Sequence, residues 1–425
     1  MKSNINNTFL WALLIFTLSL ALGVSYVLFS PQSKLSPDAQ EYDTLGWSLS
    51  RSDGYQIEPG EPDLTREPLY PFFLSIFYSL FGHNYFIVRV AQAAINALTC
   101  VLILLIGRRV FGHKAGLISA LIASAYPAFI AYTGYILTEN IFTFLLILAV
   151  FLLILGLERD KLKLFVGSGL AMGLAMLCKA VLLFFPLFIS LLFILRYRKN
   201  KKIILHILAM FIAAYAVVLP WTMRNYKVSG ALVPVRTGSG FNLWLGSYLP
   251  WGGENKAGGQ NGYPEIRMKF IGAEPLKSLV WGLSPIAADK VLLTESMKNI
   301  KQDPLGYIKL CAGRTIKLWI HPIGEELIKN KSVLLARMLV IFHYAVLLFF
   351  IIGFLLSFTG IKADPLLVLS GAIFYFTAIY SIAYAHPRYQ FPVLAPVLLF
   401  AVYGFISTAD LLKKKLSFKK QAIGS

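Results

Sequence analysis

Ten apolar stretches, each close to the length of a bilayer crossing, recur along the chain and limit the fold more than any other feature. They centre near Leu18, Leu98, Ile122, Ile147, Leu170, Leu187, Ala213, Leu347, Phe374 and Leu398. A helix needs about 20 mainly apolar residues to cross the hydrocarbon core. Inside that core the backbone must satisfy its own hydrogen bonds, which leaves helices or closed barrels. These runs are continuously apolar and do not alternate, so they read as helices. Residues 164–195 have the length of one long buried helix, but Lys179 and Pro186 interrupt them and predict two. With 57% hydrophobic and only 14% charged residues, the chain falls outside the soluble classes. The expected fold class is an all-α polytopic membrane protein with about ten transmembrane helices.

The formal charge of +19 would suit nucleic acid if it formed a patch. It does not. The segments GRRVFGHK, ERDKLK, RYRKNKK, TGIKAD and DLLKKKLSFKK, with Lys2, hold 18 of the 40 Lys and Arg residues and only four acids. With ten spans and a cytoplasmic N-terminus, all of these fall on one side, which is the positive-inside pattern. The basic balance is a topology signal, and no nucleic-acid partner is expected. Both termini are expected in the cytoplasm of a prokaryote whose plasma (inner) membrane holds the chain. The N-terminal run is too long for the core of a signal peptide and no A-x-A site follows it, so it reads as the first span. Cys100, Cys178 and Cys311 have neither metal-type nor disulfide-type spacing.

This topology divides the chain into an N-terminal membrane module over 1–222, a large outer loop over 223–331 and a C-terminal membrane part over 332–425. A first outer loop covers 31–83 and is acidic, with eight Asp and Glu against three basic residues. The second outer loop opens on a Gly-rich string, RTGSGFNLWLGSYLPWGGENKAGGQNGYP, and continues as two helical patterns that start on Ser-Pro and Asp-Pro. A cap residue followed by proline marks a helix start. No inverted repeat of the secondary-transporter kind is evident. Polar residues are concentrated on one face of the membrane.

In SPDAQEYD, Ser36 can cap a helix and Pro37 can take its first position, which sets Asp38 in the first turn. The helix dipole favours an ionised carboxylate there. Glu41 and Tyr42 follow at i+3 and i+4 on the same face, while Asp43 points elsewhere. From these residues alone, Asp38 is either an ordinary N-terminal helix acid or part of a site. Arg66 and Glu67 stand before Pro68 and the apolar LYPFFLSIFYSLF, which is short of a span and reads as an interfacial helix. Polar groups also mark the outer ends of spans: Glu139 after Thr138, Lys179, Arg224 in PWTMRNY, and His386-Pro387-Arg388-Tyr389. Singly they suit snorkelling or local pairing. Together they are what a lipid phosphate and an activated hydroxyl need, with arginine able to hold the phosphate bidentately. The six histidines carry no metal motif. A divalent metal remains open only if Glu67, Asp38 and His386 converge.

The motifs resemble a family. A first span followed by D-x-x-x-Y at Asp38 and Tyr42, then REPLYPFFLSIFYSLFG, TENIF, PWTMRNYKVSGALVPVRTGSGFNLWLG and HPRYQFPVLAPVLL is similar to lipid-dependent glycosyltransferases of the GT-C type. The branch is that of the dolichyl-phosphate-mannose protein mannosyltransferases and the bacterial aminoarabinose transferase of lipid A. The resemblance implies a sugar carried on a polyprenyl phosphate, transferred outside the cytoplasm with inversion, and Asp38 as the catalytic carboxylate. It implies that Arg224, Arg388 and Tyr389 line the lipid-phosphate and sugar pocket. Two departures stand out. Asp38 is followed by Ala39 where the mannosyltransferases pair two acids. Arg66-Glu67-Pro68 stands where the aminoarabinose transferase has acid-base-Pro, so that enzyme's metal-linked Glu does not carry over. The length also leaves no room for a large domain after the tenth span.

The expected activity is therefore a hexosyl or pentosyl transfer to a hydroxyl on a lipid, glycan or protein acceptor. Asp38 would take the hydroxyl proton; Arg388, Arg224 and Lys179 would stabilise the phosphate leaving group. Glu139 would place a sugar hydroxyl or a cation, and the Gly-rich string would cover the pocket. Three alternatives stay open: a ligase using polyprenyl-diphosphate glycans, a lipid-linked sugar transporter, and a scaffold whose Phe241, Trp244, Tyr248 and Trp251 meet a partner.

Overall fold

The computed structural model describes residues 2–29, 35–251, 276–323 and 332–423. Among them there is no β-strand, only an isolated bridge between Gln56 and Pro62. Helices stand at all ten predicted places. Seven are long and apolar enough to cross a membrane: α1 (Lys2–Phe29), α4 (Tyr85–Val110), α7 (Glu139–Arg159), α10 (Lys201–Ser229), α15 (Val333–Gly360), α16 (Ala363–Ile382) and α17 (Phe391–Ile423). The pair α5 (His113–Ala125) and α6 (Pro127–Ala131), bent by 52°, is long and apolar enough only when the two are taken together; Pro127 removes an amide from the ladder at the bend.

The remaining two are shorter than expected. The stretch over 164–195 does divide, into α8 (Leu162–Cys178) and α9 (Phe185–Arg196). At 1.5 Å per residue, neither reaches the roughly 30 Å of a hydrocarbon core. The break has a local cause. Lys179 adopts an extended backbone, φ −146° and ψ 115°, and a 3₁₀ turn over Ala180–Leu182 follows it.

Burial separates centre from periphery. About three quarters of the apolar windows of α7 and α17 are buried (78% and 72%), against 22% for α1 and α15. Helices α7 and α17 therefore form the middle of the bundle, and α1 and α15 present leucines and phenylalanines outward. The first outer loop holds α2 (Pro37–Ser50) and α3 (Leu69–Phe81). Helix α2 starts as the sequence predicts: Ser36 Oγ accepts from the Ala39 amide at 3.3 Å and Pro37 follows the cap. Helix α3 buries Tyr70, Leu74 and Tyr78 and exposes Phe72, Ile76 and Leu80, the two-faced pattern of an interfacial helix. The two helices meet at Gly46, where a Cβ would lie 2.6 Å from Leu74 Cβ.

The described part of the second outer loop holds four α-helices: α11 (Ser239–Ser247), α12 (Leu276–Val280), α13 (Pro285–Gln302) and α14 (Pro304–Ile320). Trp244, Leu245, Leu276, Val280 and Leu292 form its own small core. The second part of the Gly-rich string expected to act as a cover, 252–264, lies outside the described residues.

Candidate active site

The first turn of α2 aims Asp38 at the start of the last membrane helix, 350 positions away in sequence. Its Oδ1 accepts from Arg66 Nη2 at 2.9 Å and its Oδ2 from Arg388 Nη2 at 2.7 Å. Arg388 comes from the short 3₁₀ helix Pro387–Gln390, ahead of α17. The Asp38 side chain is 29% exposed, so the carboxylate is clamped yet reachable. Burial would push its pKa up, but the charges and hydrogen bonds of Arg66 and Arg388 outweigh that and hold it well below the usual carboxylate range.

Arg66 is placed by its own loop. Asp63 Oδ2 accepts from the amides of Thr65 and Arg66 at 2.9 and 3.0 Å, an Asx turn. The Tyr55 hydroxyl donates to the carbonyls of Arg66 and Glu67 at 3.0 and 3.1 Å. Besides Asp38, Arg66 donates through Nε to Glu41 Oε2 and lies 5.2 Å from the centre of the Tyr42 ring. Burial raises the Glu41 pKa, and Arg66 opposes the rise only in part.

Glu67 is a buried hub joining three distant segments. Its Oε1 accepts from Arg236 Nε at 2.8 Å and from the Ala180 amide at 3.0 Å; its Oε2 accepts from the Tyr42 hydroxyl at 3.3 Å. The Ala180 amide belongs to the break between α8 and α9, so Glu67 also locates Lys179 beside it. Burial, then the Glu67 charge, raises the Tyr42 pKa and keeps that hydroxyl a donor. Lys179 Nζ reaches Glu139 Oε1 at 2.9 Å, and Arg388 Nε stands 4.0 Å from the same oxygen. Glu139 is 2% exposed, and its Oε2 has no hydrogen-bond partner.

Most of the residues singled out from the sequence thus converge. Asp38, Glu41, Tyr42, Arg66, Glu67, Glu139, Lys179 and Arg388 form one alternating network of acids and bases. His386 flanks it, accepting from the Arg388 amide at 3.3 Å. Burial, then the Arg388 charge, lowers its pKa to about 4. Tyr389 stacks on Tyr380 with ring centres 4.4 Å apart and braces the segment carrying Arg388.

Arg224 stands apart from the acids. It donates to the carbonyls of Asp63 and Tyr55 at 2.7 and 3.3 Å and lies over the rings of Trp221 and Tyr55. It ties the first outer loop to the end of α10. Asp43 also points away, accepting from the Tyr78 hydroxyl, His83 Nε2 and the Tyr85 hydroxyl at 2.6–2.7 Å.

The donor set does not fit a resident divalent ion as it stands. Both Asp38 oxygens face arginines, Glu67 is shared between Arg236, Ala180 and Tyr42, and His386 Nδ1 faces the Arg388 amide. Among the described residues no three His, Cys, Asp or Glu groups are placed to hold a metal.

One member of the network was not singled out from the sequence. Arg236, in the string VPVRTGSG, pairs with Glu67 and donates to the Thr65 carbonyl at 3.2 Å. Burial works against its charge, and the Glu67 carboxylate more than restores it. Its neighbours in sequence give no hint of an acid partner, so only the fold reveals the pair.

Comparison with known proteins agrees with this architecture. Residues 61–222 match the family model described as dolichyl-phosphate-mannose-protein mannosyltransferase. An Aquifex aeolicus protein described as uncharacterized is 36% identical over 121 residues, 28% of this chain and 24% of that protein. The undecaprenyl phosphate-alpha-4-amino-4-deoxy-L-arabinose arabinosyl transferase of Pseudomonas aeruginosa is 28% identical over 151 residues, 34% of this chain and 28% of that protein. The matched stretch therefore spans about a quarter of each relative's length. The archaeal oligosaccharyltransferase AglB of Archaeoglobus fulgidus, solved with an inhibitory peptide and a dolichol-phosphate, shares the fold. It aligns with a TM-score of 0.57 at 15% identity, over 98% of this chain and 52% of its own. The family-model match over 61–222 and the fold shared with AglB lie in the direction of the resemblance read from the sequence.

Proposed function

We propose that the protein transfers a sugar from a polyprenyl-phosphate-linked donor to an acceptor hydroxyl on the extracytoplasmic face of a prokaryotic plasma membrane. The observation that carries this reading is the reachable Asp38 carboxylate held between Arg66 and Arg388, with Lys179 and Arg236 close in the same network. The family match over 61–222, which includes Arg66, Glu67, Glu139 and Lys179, supports the same chemistry. The lysine and arginine clusters near span ends, which the expected topology sets on the side opposite 31–83, support an outer-face site.

The acceptor oxygen attacks the anomeric carbon as the bond from that carbon to the phosphate oxygen breaks. The electron pair leaves with the phosphate, and the hydroxyl proton passes to Asp38. A single displacement by one carboxylate-assisted nucleophile inverts the anomeric centre. As a strongly ionised acid Asp38 is a weak base, so proton transfer is late, once the hydroxyl has become acidic in the transition state. The leaving phosphate needs positive charge rather than a proton. Arg388 can supply it by exchanging one Asp38 oxygen for the donor phosphate, which also frees that oxygen for the acceptor. Lys179, held by Glu139, adds a second cation. Arg224 serves this site only through the loop it braces.

The test is transfer from a panel of polyprenyl-phosphate sugars in liposomes, with envelope extract as acceptor, by wild type and Asp38→Asn. Donor-dependent transfer that falls by about 10²–10⁴-fold in the variant, with donor binding retained, is the expected result. An active Asn variant would remove Asp38 from the role of base. Consumption of diphosphate-linked glycans in place of every monophosphate donor would overturn the donor class.

A further inference from the structure

We propose that Arg314, in the second outer loop, is a positioning residue that holds Arg388 against Asp38 through the segment joining α16 to α17; this rests on the transferase reading of that pair. Arg388 sits in a connection, Ala383 to Gln390, that is not a membrane helix and is remote in sequence from the acids it meets, Asp38 and Glu139. A connection of that length needs outside support to hold a guanidinium within hydrogen-bond reach of one carboxylate.

Helix α14 supplies the support at both ends. At the α16 end, Arg314 Nε donates to the Ser381 carbonyl at 2.7 Å and Nη2 to the Ile382 carbonyl at 3.1 Å. These are last-turn carbonyls with no partner inside their own helix, and a cation there also meets the negative end of the helix dipole. The Tyr307 hydroxyl donates to the Ile382 carbonyl at 2.7 Å, and the Thr315 and Ser381 hydroxyls are 2.7 Å apart. At the α17 end, the His321 carbonyl, just past α14, accepts from Gln390 Nε2 at 2.7 Å. One helix thus grips both flanks of the segment that carries Arg388.

Arg314 is buried, 5% exposed, and it also donates through Nη1 to the Gly246 carbonyl at the end of α11. Only glycine fits at that contact, since a Cβ on Gly246 would lie 1.7 Å from the Ala383 carbonyl oxygen. A three-way junction of α11, α14 and α16 therefore fixes where the connection leaves the membrane. Since Arg314 donates to the backbone on both sides of that junction and makes no contact with Asp38 or Arg388, any effect it has on transfer passes through the segment.

The experiment pairs amide hydrogen exchange with kinetics. Arg314→Met should raise exchange over 383–390 while helix 139–159 stays protected. It should lower kcat by about tenfold or more, as expected for misplaced reacting groups, with a smaller change in donor KM. Arg314→Lys, which keeps a charge at the junction, should recover part of the loss. In an Arg388→Lys background the Arg314→Met change should have little further effect, within about twofold, because coupled residues are not additive. Equal losses in both backgrounds, or unchanged exchange over 383–390 in a folded Arg314→Met protein, would overturn the proposal. If Arg314→Met does not fold, Tyr307→Phe, which removes one bond of the junction, carries the same comparison at smaller amplitude. Wild type that transfers from no donor, with exchange raised in the variant, would overturn the transferase reading and leave the structural splint in place.

Discussion

At Asp38 burial and two arginines act on one carboxylate in opposite directions, and the arginines win. The consequence for pH follows from the sign. A carboxylate whose folded pKa is depressed contributes stability that is present above its unfolded pKa, near 4, and is lost as pH falls through the folded value. Between pH 5 and 8 Asp38 is therefore ionised throughout. His386, with a pKa of about 4, is neutral over the same range. The pH profile of kcat should accordingly show no acidic limb from either group between pH 5 and 8. Asp38→Asn should lower the whole profile without changing its shape, and an inflection in that window that disappears in Asp38→Asn would contradict the assignment. Glu67 and Arg236 make a second residue-scale case. Removing one partner of a buried pair leaves an uncompensated charge and costs about 3–5 kcal/mol. Glu67 is the more buried partner, with 6% of its side chain exposed against 26% for Arg236. Arg236→Gln should therefore lower the unfolding temperature in detergent more than Glu67→Gln, and the double change should cost less than the two added together. Additive losses would mean that the pair is not coupled.

Helices show where sequence pattern suffices and where it stops. The start of α2 was legible because a cap is local: Ser36, Pro37 and Asp38 stand within one turn of one another. The apolar runs were legible for the same reason. The division at Lys179 was legible too, but the shortness of α8 and α9 was not, because the break is held by Glu67, which captures the Ala180 amide 113 positions away. Arg236 and Arg314 were missed because each acts through segments remote in sequence; Arg314 lies 67 positions from Ser381. The loop over which Arg224 folds hides it in the opposite sense. Its place after a span suggested a phosphate ligand, and its donors instead go to the carbonyls of Asp63 and Tyr55. The packing of α2 on α3 yields an element-scale prediction. Gly46→Ala would bring a Cβ to 2.6 Å of Leu74 Cβ, with the Pro71 carbonyl oxygen 3.4 Å away. Overpacking of this kind costs about 1–3 kcal/mol. Because α2 carries Asp38 and α3 follows Glu67, the variant should lose transfer activity even at temperatures where it remains folded. Full activity with an unchanged unfolding temperature would show that the two helices can separate freely.

Over the whole molecule, the site depends on which way the bundle faces. In the proposed orientation, the lysine- and arginine-rich segments over 108–114, 158–163, 196–202 and 413–420 face the cytoplasm and the loop over 31–83, with eight acids, faces outward. Lysine and arginine near span ends resist translocation, whereas acids contribute little to orientation, so the two sides are not equivalent choices. The site joins Asp38 and Arg66 from the loop over 31–83, Arg236 from the loop over 223–331, and Glu139, Lys179 and Arg388 from helix ends, so one orientation places all of them on the outer face. A donor made in the cytoplasm would have to be presented with its sugar on the far leaflet before transfer. The orientation is checked by single cysteines in a Cys311→Ser background, with Cys100 and Cys178 buried. Glu61→Cys and Ser417→Cys both place the thiol on exposed positions. A membrane-impermeant maleimide should label the cysteine at 61 in intact cells and the one at 417 only after the membrane is opened. The reverse pattern would put Asp38 in the cytoplasm, where a soluble nucleotide sugar is the available donor class, and the lipid-phosphate reading would then lose its physical reason.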